Sequence, residues 1–122
     1  MLDIVAPVNR DELVHWYDSL DAVVVPSHFE TGPFIVMEAA ARGVPTAISP
    51  HVGWVSEYKR RGMGEWILNF DRPYAAARRL HKLLKAGQTN STTKFAKWIE
   101  IGHSPETVYQ SYLRLFRRTA SR

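Results

Sequence analysis

A chain of 122 residues, 45% apolar and 23% charged, has the composition of one globular domain large enough to bury a core. It contains no cysteine, which excludes disulfides, thiolate metal sites and a cysteine nucleophile, and no apolar run long enough to cross a bilayer. The net charge of +4 conceals an asymmetry: residues 1–58 carry two basic and eight acidic side chains, whereas residues 59–122 carry fourteen basic and four acidic ones. The second half therefore either meets an anionic partner or simply presents solvated helix faces.

In chain order, Met1-Leu2-Asp3-Ile4 lacks a basic region followed by a long apolar one, so no leader is expected and the cytoplasm is the default compartment. Asp3–Val8 reads as a short strand broken by Pro7. Asn9, with Glu12 three positions on, has the pattern of a capping box, and Leu13, Trp16, Tyr17 and Leu20 recur at the spacing of one buried helical face. Ala22–Val25 is an almost continuous β-branched strand, of the kind covered on both faces in a parallel sheet. A helix is expected from about Pro33 to Arg42, with proline in its first turn and Gly43 in the left-handed position that ends it. Val44–Ser49 reads as a strand, Ser49–Gly53 as a loop, Trp54–Tyr58 as a helical turn, Lys59–Gly64 as a basic flexible stretch, and Trp66–Leu68 as a last short strand.

Asp71-Arg72-Pro73 opens a helix that runs to Ala86 and stops at Gly87. Gln88–Thr93 reads as a polar linker, and Phe95, Trp98 and Ile99 as a short helix. Ser104-Pro105-Glu106 supplies an N-cap, a first-position proline and a first-turn acid. The helix after it carries Val108, Tyr109, Tyr112, Leu113 and Phe116 on one stripe. At most four strands alternating with helices define an α/β fold, a small parallel sheet flanked by helices.

The chemistry concentrates between Pro26 and Ala41. Ligands of open α/β sheets bind outside the carboxyl ends of the strands, which is where the loop after Val25 falls. The helix opening at Gly32-Pro33-Phe34 points unpaired amides and its positive dipole end at that place, which favours a phosphate. Glu38 carries the wrong charge for a phosphate but can accept hydrogen bonds from a vicinal diol such as a ribose. Glu30, outside the helix, is free to meet a sugar hydroxyl or a developing positive charge. A phosphate between two carboxylates, each facing a polyol, reads as a nucleotide sugar. The plain alternative is an acid that only complements a helix dipole, an effect of about 0.3–1 kcal/mol.

Pro26-Ser27, Glu30-Thr31-Gly32-Pro33, Glu38-Ala39-Ala40-Ala41, Gly43-Val44-Pro45 and Gly53 with Glu57 resemble the donor-binding half of GT-B glycosyltransferases, glycosyl transferases group 1. The nearest resemblance is to the retaining group that includes glycogen and sucrose synthases. It spans roughly Asp3 to Leu84 and is most specific from Ser27 to Pro45. It implies a partial Rossmann-like nucleotide-sugar domain over residues 1–87, with residues 88–122 as linker and C-terminal helices packing on it or on a second copy. It also implies Glu30 as the catalytic acid beside the donor sugar, and Ser27, Thr31, Gly32, Pro33, Phe34 and Glu38 as donor-binding residues, Glu38 on the nucleotide ribose. Pro33 has no amide to give, so Gly32 and Phe34 must serve the phosphate. No metal and no cofactor is implied, the nucleoside diphosphate sugar being a substrate.

Members of that group are several times longer, so the resemblance also implies an absent acceptor domain, no activity in this chain alone, and a missing Arg/Lys clamp for the diphosphate. The C-terminal stripe is expected to pack against a second copy, and the basic half to attract donor phosphates or face the inner surface of a membrane. The competing function class is a non-catalytic basic module that binds nucleic acid or anionic membrane through Arg60, Arg61, Arg78, Arg79, Lys82 and Lys85. His28 and His51 lie near the motif without the spacing of metal ligands.

Overall fold

The computed structural model describes residues 3–120; Met1, Leu2, Ser121 and Arg122 lie outside it. Helix α1 (Arg10–Asp18) starts from the expected capping box, in which Asn9 Oδ1 accepts from the Glu12 amide at 2.9 Å and the Glu12 carboxylate accepts from the Asn9 amide at 3.2 Å. Strand β1 (Val23–Val25) follows, then helix α2 (Phe34–Ala41) and strand β2 (Thr46–Ile48). The two strands pair in parallel with Val23 opposite Thr46 and Val25 opposite Ile48. This is an α/β fold: a small parallel sheet flanked by helices.

Two expected strands are absent as such. Asp3–Val8 is irregular, with Ile4 94% exposed; Pro7 offers no ladder N–H, and the only described strand paired with β1 is β2. Val24 is accordingly 40% exposed, so β1 is not covered on both faces. Trp66 ends a 3₁₀ turn (Gly64–Trp66), and the segment after it contributes a single parallel rung. There the Leu68 amide donates to the Ile48 carbonyl at 2.9 Å. Asn69 then turns the chain, its side chain accepting from the Asp71 amide at 3.0 Å.

The stretch Lys59–Gly64 is not a flexible loop either. Helix α3 (Val55–Arg60) reaches into it, Glu57 pairs with Arg60 at 2.8 Å and with Arg61 at 3.0 Å, and Met63 is buried. Helix α4 (Pro73–Ala86) runs as expected to Gly87, whose φ of 68° suits glycine. The polar linker expected over Gln88–Thr93 is instead the capped start of α5 (Asn90–Gly102). Thr89 Oγ1 accepts from the Thr92 amide, and Thr92 Oγ1 accepts from the Thr89 amide at 2.9 Å. A capping box closed by a second threonine, in place of Glu or Gln, is easily read as a linker.

Helix α5 packs on α2 and belongs to the main core. The buried alanines Ala39 and Ala40 let the two helices approach, and Phe95 and Ile99 fill the space beside Val36. The Phe95 ring meets Tyr58 edge-on, centroids 5.1 Å apart. Tyr58 is fully buried, and its hydroxyl donates to the Thr46 carbonyl at 2.8 Å, which offsets the cost of removing it from water. Helix α6 (Pro105–Ala120) continues from Ser104, whose hydroxyl accepts from the Thr107 amide at 3.1 Å. Tyr109 and Tyr112 on its apolar stripe remain exposed; the Phe116 side chain lies outside those described. Among the described residues no helix is long and apolar enough to cross a membrane.

Candidate functional site

The parallel register sets the loops after β1 and β2 side by side at the carboxyl ends of the strands, and the second loop grips the first. Gly53 donates its amide to the Glu30 carbonyl at 2.8 Å, and the Glu30 amide donates to the His51 carbonyl at 3.4 Å, an isolated parallel rung between Glu30 and Val52. Buried Ser49 donates its hydroxyl to the Ser27 carbonyl and accepts from the His51 amide at 3.2 Å. The Trp54 indole N–H donates to the Pro33 carbonyl at 3.3 Å. Where Gly53 passes Thr31, a Cβ would stand 1.4 Å from the Thr31 carbonyl oxygen, so only glycine fits. Ser27, Glu30 and Pro33 are thus held through their backbones by this segment, and Thr31 is closely approached by it. The half-buried Glu30 carboxylate makes no hydrogen bond with the described residues.

Helix α2 starts one residue later than the sequence suggests: Pro33, with extended backbone, is the N-cap itself and has no capping side chain. No acid occupies the first turn of α2, so the amides of Phe34 and Ile35 open the helix without a side-chain acceptor and with the positive end of its dipole. A Cβ on Gly32 would meet nothing within 4 Å, in contrast to Gly53. The rings of Phe29 and Phe34 are 82% and 75% exposed at the rim. His28 and His51 stand at the same edge, ring centroids 6.3 Å apart, with His28 Nε2 4.0 Å from Asp71 Oδ1. Among the described residues no group of three or more His, Asp or Glu side chains is placed to hold a metal ion.

Glu38 is fixed differently. It sits on the exposed side of α2, and its Oε2 accepts a 2.9 Å hydrogen bond from the hydroxyl of Tyr17 on α1. Burial, then that hydrogen bond and the nearby carboxylate charge, push the Tyr17 hydroxyl up to about 12. A second tie joins α1 to the C-cap residue of α2: Arg42 Nε donates to Asp18 Oδ1 at 2.8 Å and Arg42 Nη2 to Asp18 Oδ2 at 2.5 Å. The Arg42 hydrogen bond holds the Asp18 carboxyl below its ordinary value.

Sequence reasoning assigned no site role to Tyr17, Ser49, Gly53 or Trp54. Tyr17 was read only as part of a buried face, and its hydroxyl was the unused signal, since a buried phenol needs a partner. Two open grooves lie elsewhere. One of about 490 Å³ is at the amino ends of the strands near Asp21, Trp66 and His81; one of about 670 Å³ runs along α4 beside Arg78, Arg79 and Lys82. Neither includes Glu30, in the loop after β1, or Glu38, on α2.

Residues 2–100 match the family model of glycosyl transferases group 1. The chain is 29% identical to a D-inositol 3-phosphate glycosyltransferase of Streptomyces bingchenggensis, over 94% of this chain and 27% of that protein. It is 32% identical to one of Thermobifida fusca over 64% of this chain and 18% of that protein. An uncharacterized glycosyltransferase of Methanocaldococcus jannaschii is 37% identical over 49% of this chain and 15% of its own length. The chain therefore spans about a quarter of the first of these relatives. No solved structure matches it. With a strand, gripped loop and uncapped helix in the order the motif requires, and four fifths of its length matched, this chain belongs to the glycosyl transferases group 1.

Proposed function

We propose that this chain is the donor-binding part of a glycosyltransferase that takes its sugar from a nucleoside diphosphate sugar and retains the anomeric configuration. The observation that carries the reading is the uncapped start of α2 standing between Glu30 in its gripped loop and Glu38 on the same helix. The amides of Gly32, Phe34 and Ile35 suit a phosphate. Glu38 offers carboxylate lone pairs to a ribose diol. Glu30, whose carboxylate makes no hydrogen bond with the described residues, faces the donor sugar.

In this reading the bond from the anomeric carbon to the phosphate oxygen breaks, and its electron pair leaves with the nucleoside diphosphate. That charge grows at the helix terminus, where preorganised dipoles stabilise it best. The sugar centre becomes oxocarbenium-like, and the Glu30 carboxylate stabilises it. The acceptor hydroxyl attacks from the face the phosphate leaves, giving up its proton to the departing oxygen. Phosphate charge is met by amides and a dipole, so the reading assigns no step to a metal ion. The acceptor is held by protein beyond these residues, and the chain alone is inactive.

Isothermal titration with UDP- and GDP-sugars tests the proposal. Millimolar or tighter binding that survives EDTA and is weakened, not abolished, in Glu38→Ala is the expected result. Absence of nucleotide binding, with steeply salt-dependent association to DNA or anionic vesicles, would establish the basic module instead. Three members of that patch are already engaged: Arg60 and Arg61 pair with Glu57, the Arg61 guanidinium lies 3.5 Å over the Trp98 ring, and Arg79 Nε donates to the Glu65 carbonyl at 3.4 Å.

A further inference from the structure

We propose that Tyr17 is a positioning residue for the nucleotide ribose, acting through Glu38; the inference rests on the ribose role assigned to Glu38 above. The Tyr17 ring is 4% exposed in the core, edge-on to Trp16, so its hydroxyl is a fixed point with little freedom of its own. Glu38, by contrast, is a long side chain on the open face of α2. Left alone it would sample several rotamers, and a diol would have to select one of them. The 2.9 Å bond to Oε2 picks that rotamer before any ligand arrives. A carboxylate has about four lone-pair sites, so one accepted hydrogen bond leaves both oxygens able to accept from a diol. Oε1 has no partner among the described residues.

The direction of the bond also suits the task. Tyr17 donates, and its phenol keeps its proton well above neutral pH, so the bond to Glu38 Oε2 keeps its direction under the conditions of ligand binding. The tie reaches across 21 residues of sequence from a different helix. A separate ion pair, Asp18 with Arg42, already joins α1 to α2. Holding the helices together is therefore not a task for which the Tyr17 hydroxyl is needed. What the hydroxyl adds is the orientation of one carboxylate, the kind of support a preorganised site requires from its surroundings.

The test is a double-mutant cycle on the 122-residue chain, titrated with UDP and GDP and with their 2′,3′-dideoxy counterparts. Tyr17→Phe removes the donor and leaves the ring; Tyr17→Met fills the same space without a donor and serves if the first variant does not fold. Loss of the preset Glu38 rotamer predicts roughly two- to tenfold weaker binding of the ribonucleotide that the chain accepts. The dideoxy form should bind Tyr17→Phe as it binds the unmodified chain. In the Glu38→Ala background Tyr17→Phe should cost nothing further. Equal loss for both nucleotides, or full loss persisting in Glu38→Ala, would show a structural tie and overturn the proposal. So would unchanged binding in Tyr17→Phe while Glu38→Ala still loses the preference for ribose. If Glu38→Ala weakens ribo and dideoxy forms alike, the ribose reading of Glu38 fails first, and the inference about Tyr17 falls with it.

Discussion

The loop from Pro26 to Pro33 and the helix that follows it position their acids in opposite ways. In the loop the backbone is held and the side chain is not: the β2 loop grips Ser27, Glu30 and Pro33 through their carbonyls, while the Glu30 carboxylate has no hydrogen bond. In α2 the backbone needs no outside help, and it is the side chain of Glu38 that is held, by Tyr17. Under the proposed function, Glu30 must respond to charge developing on a sugar and keeps its freedom of adjustment. Glu38, which under the same proposal recognises a fixed diol, is set in advance. The difference follows from local structure. An irregular loop has unpaired carbonyls for a neighbour to seize, whereas helix carbonyls are occupied and only side chains remain to be held.

The comparison breaks most severely at Gly53. Gly53→Ala would drive a methyl into the Thr31 carbonyl, a backbone atom with nowhere to go. The expected loss is about 3 kcal/mol of stability by urea unfolding, with loss of nucleotide binding. Gly32→Ala, two residues after Glu30, enters open space; its stability should stay within about 0.5 kcal/mol of the unmodified chain, and any effect should fall on ligand binding alone. Equal destabilisation by the two substitutions would show that the grip on the loop is not where its order comes from.

A milder change tests the same grip. Trp54→Phe keeps an aromatic ring beside Trp98 but removes the donor to the Pro33 carbonyl. It should cost about 1 kcal/mol. Faster amide exchange should be confined to the loop and to the first turn of α2, around Phe34 and Ile35, with Glu38 and Tyr17 untouched. Acceleration spread along the whole helix would mean that loop and helix are one cooperative unit and not two differently built regions.

What the sequence made legible was local. The capping box of Asn9 and Glu12 spans three residues, and the stop at Gly43, with φ 73°, needs only its own backbone. The strand–loop–helix order around Glu30 and Glu38 was readable for the same reason, with Pro33 misplaced by one position. The grip was not readable, because the demand for glycine at Gly53 comes from a carbonyl 22 residues earlier, and Ser49 acts on Ser27. Asp3–Val8 forms no strand although β1 keeps an unpaired edge among the described residues; Pro7, with no N–H for a ladder, was the local signal against it. Thr89–Thr92 was missed through side-chain chemistry, since a threonine closing the box looks like any polar linker residue.

The smallest effect concerns the tie to Glu38 and has a definite sign. The Tyr17 hydroxyl is raised from 10.0 to about 12 in the folded chain. Between those values the unfolded chain loses this proton and the folded chain keeps it, so stability falls as pH rises. The contribution is complete below the ordinary tyrosine range and is lost as pH climbs through the folded value. Tyr58, also raised by burial, behaves the same way in both proteins and cancels when they are compared. Tyr17→Phe should therefore be less stable than the unmodified chain by about 0.5 kcal/mol at neutral pH, the gap closing and then reversing as the solution becomes alkaline, because only the unmodified chain has the Tyr17 phenol to ionise. The Asp18–Arg42 tie responds at the other end of the scale. The Asp18 value lies below 3.8, so its contribution is present above that pH and fades only on acidification. A Tyr17→Phe difference that persisted unchanged into strong alkali would mean that the hydroxyl is not held protonated in the folded core at all, and the tie to Glu38 would lose its chemical basis.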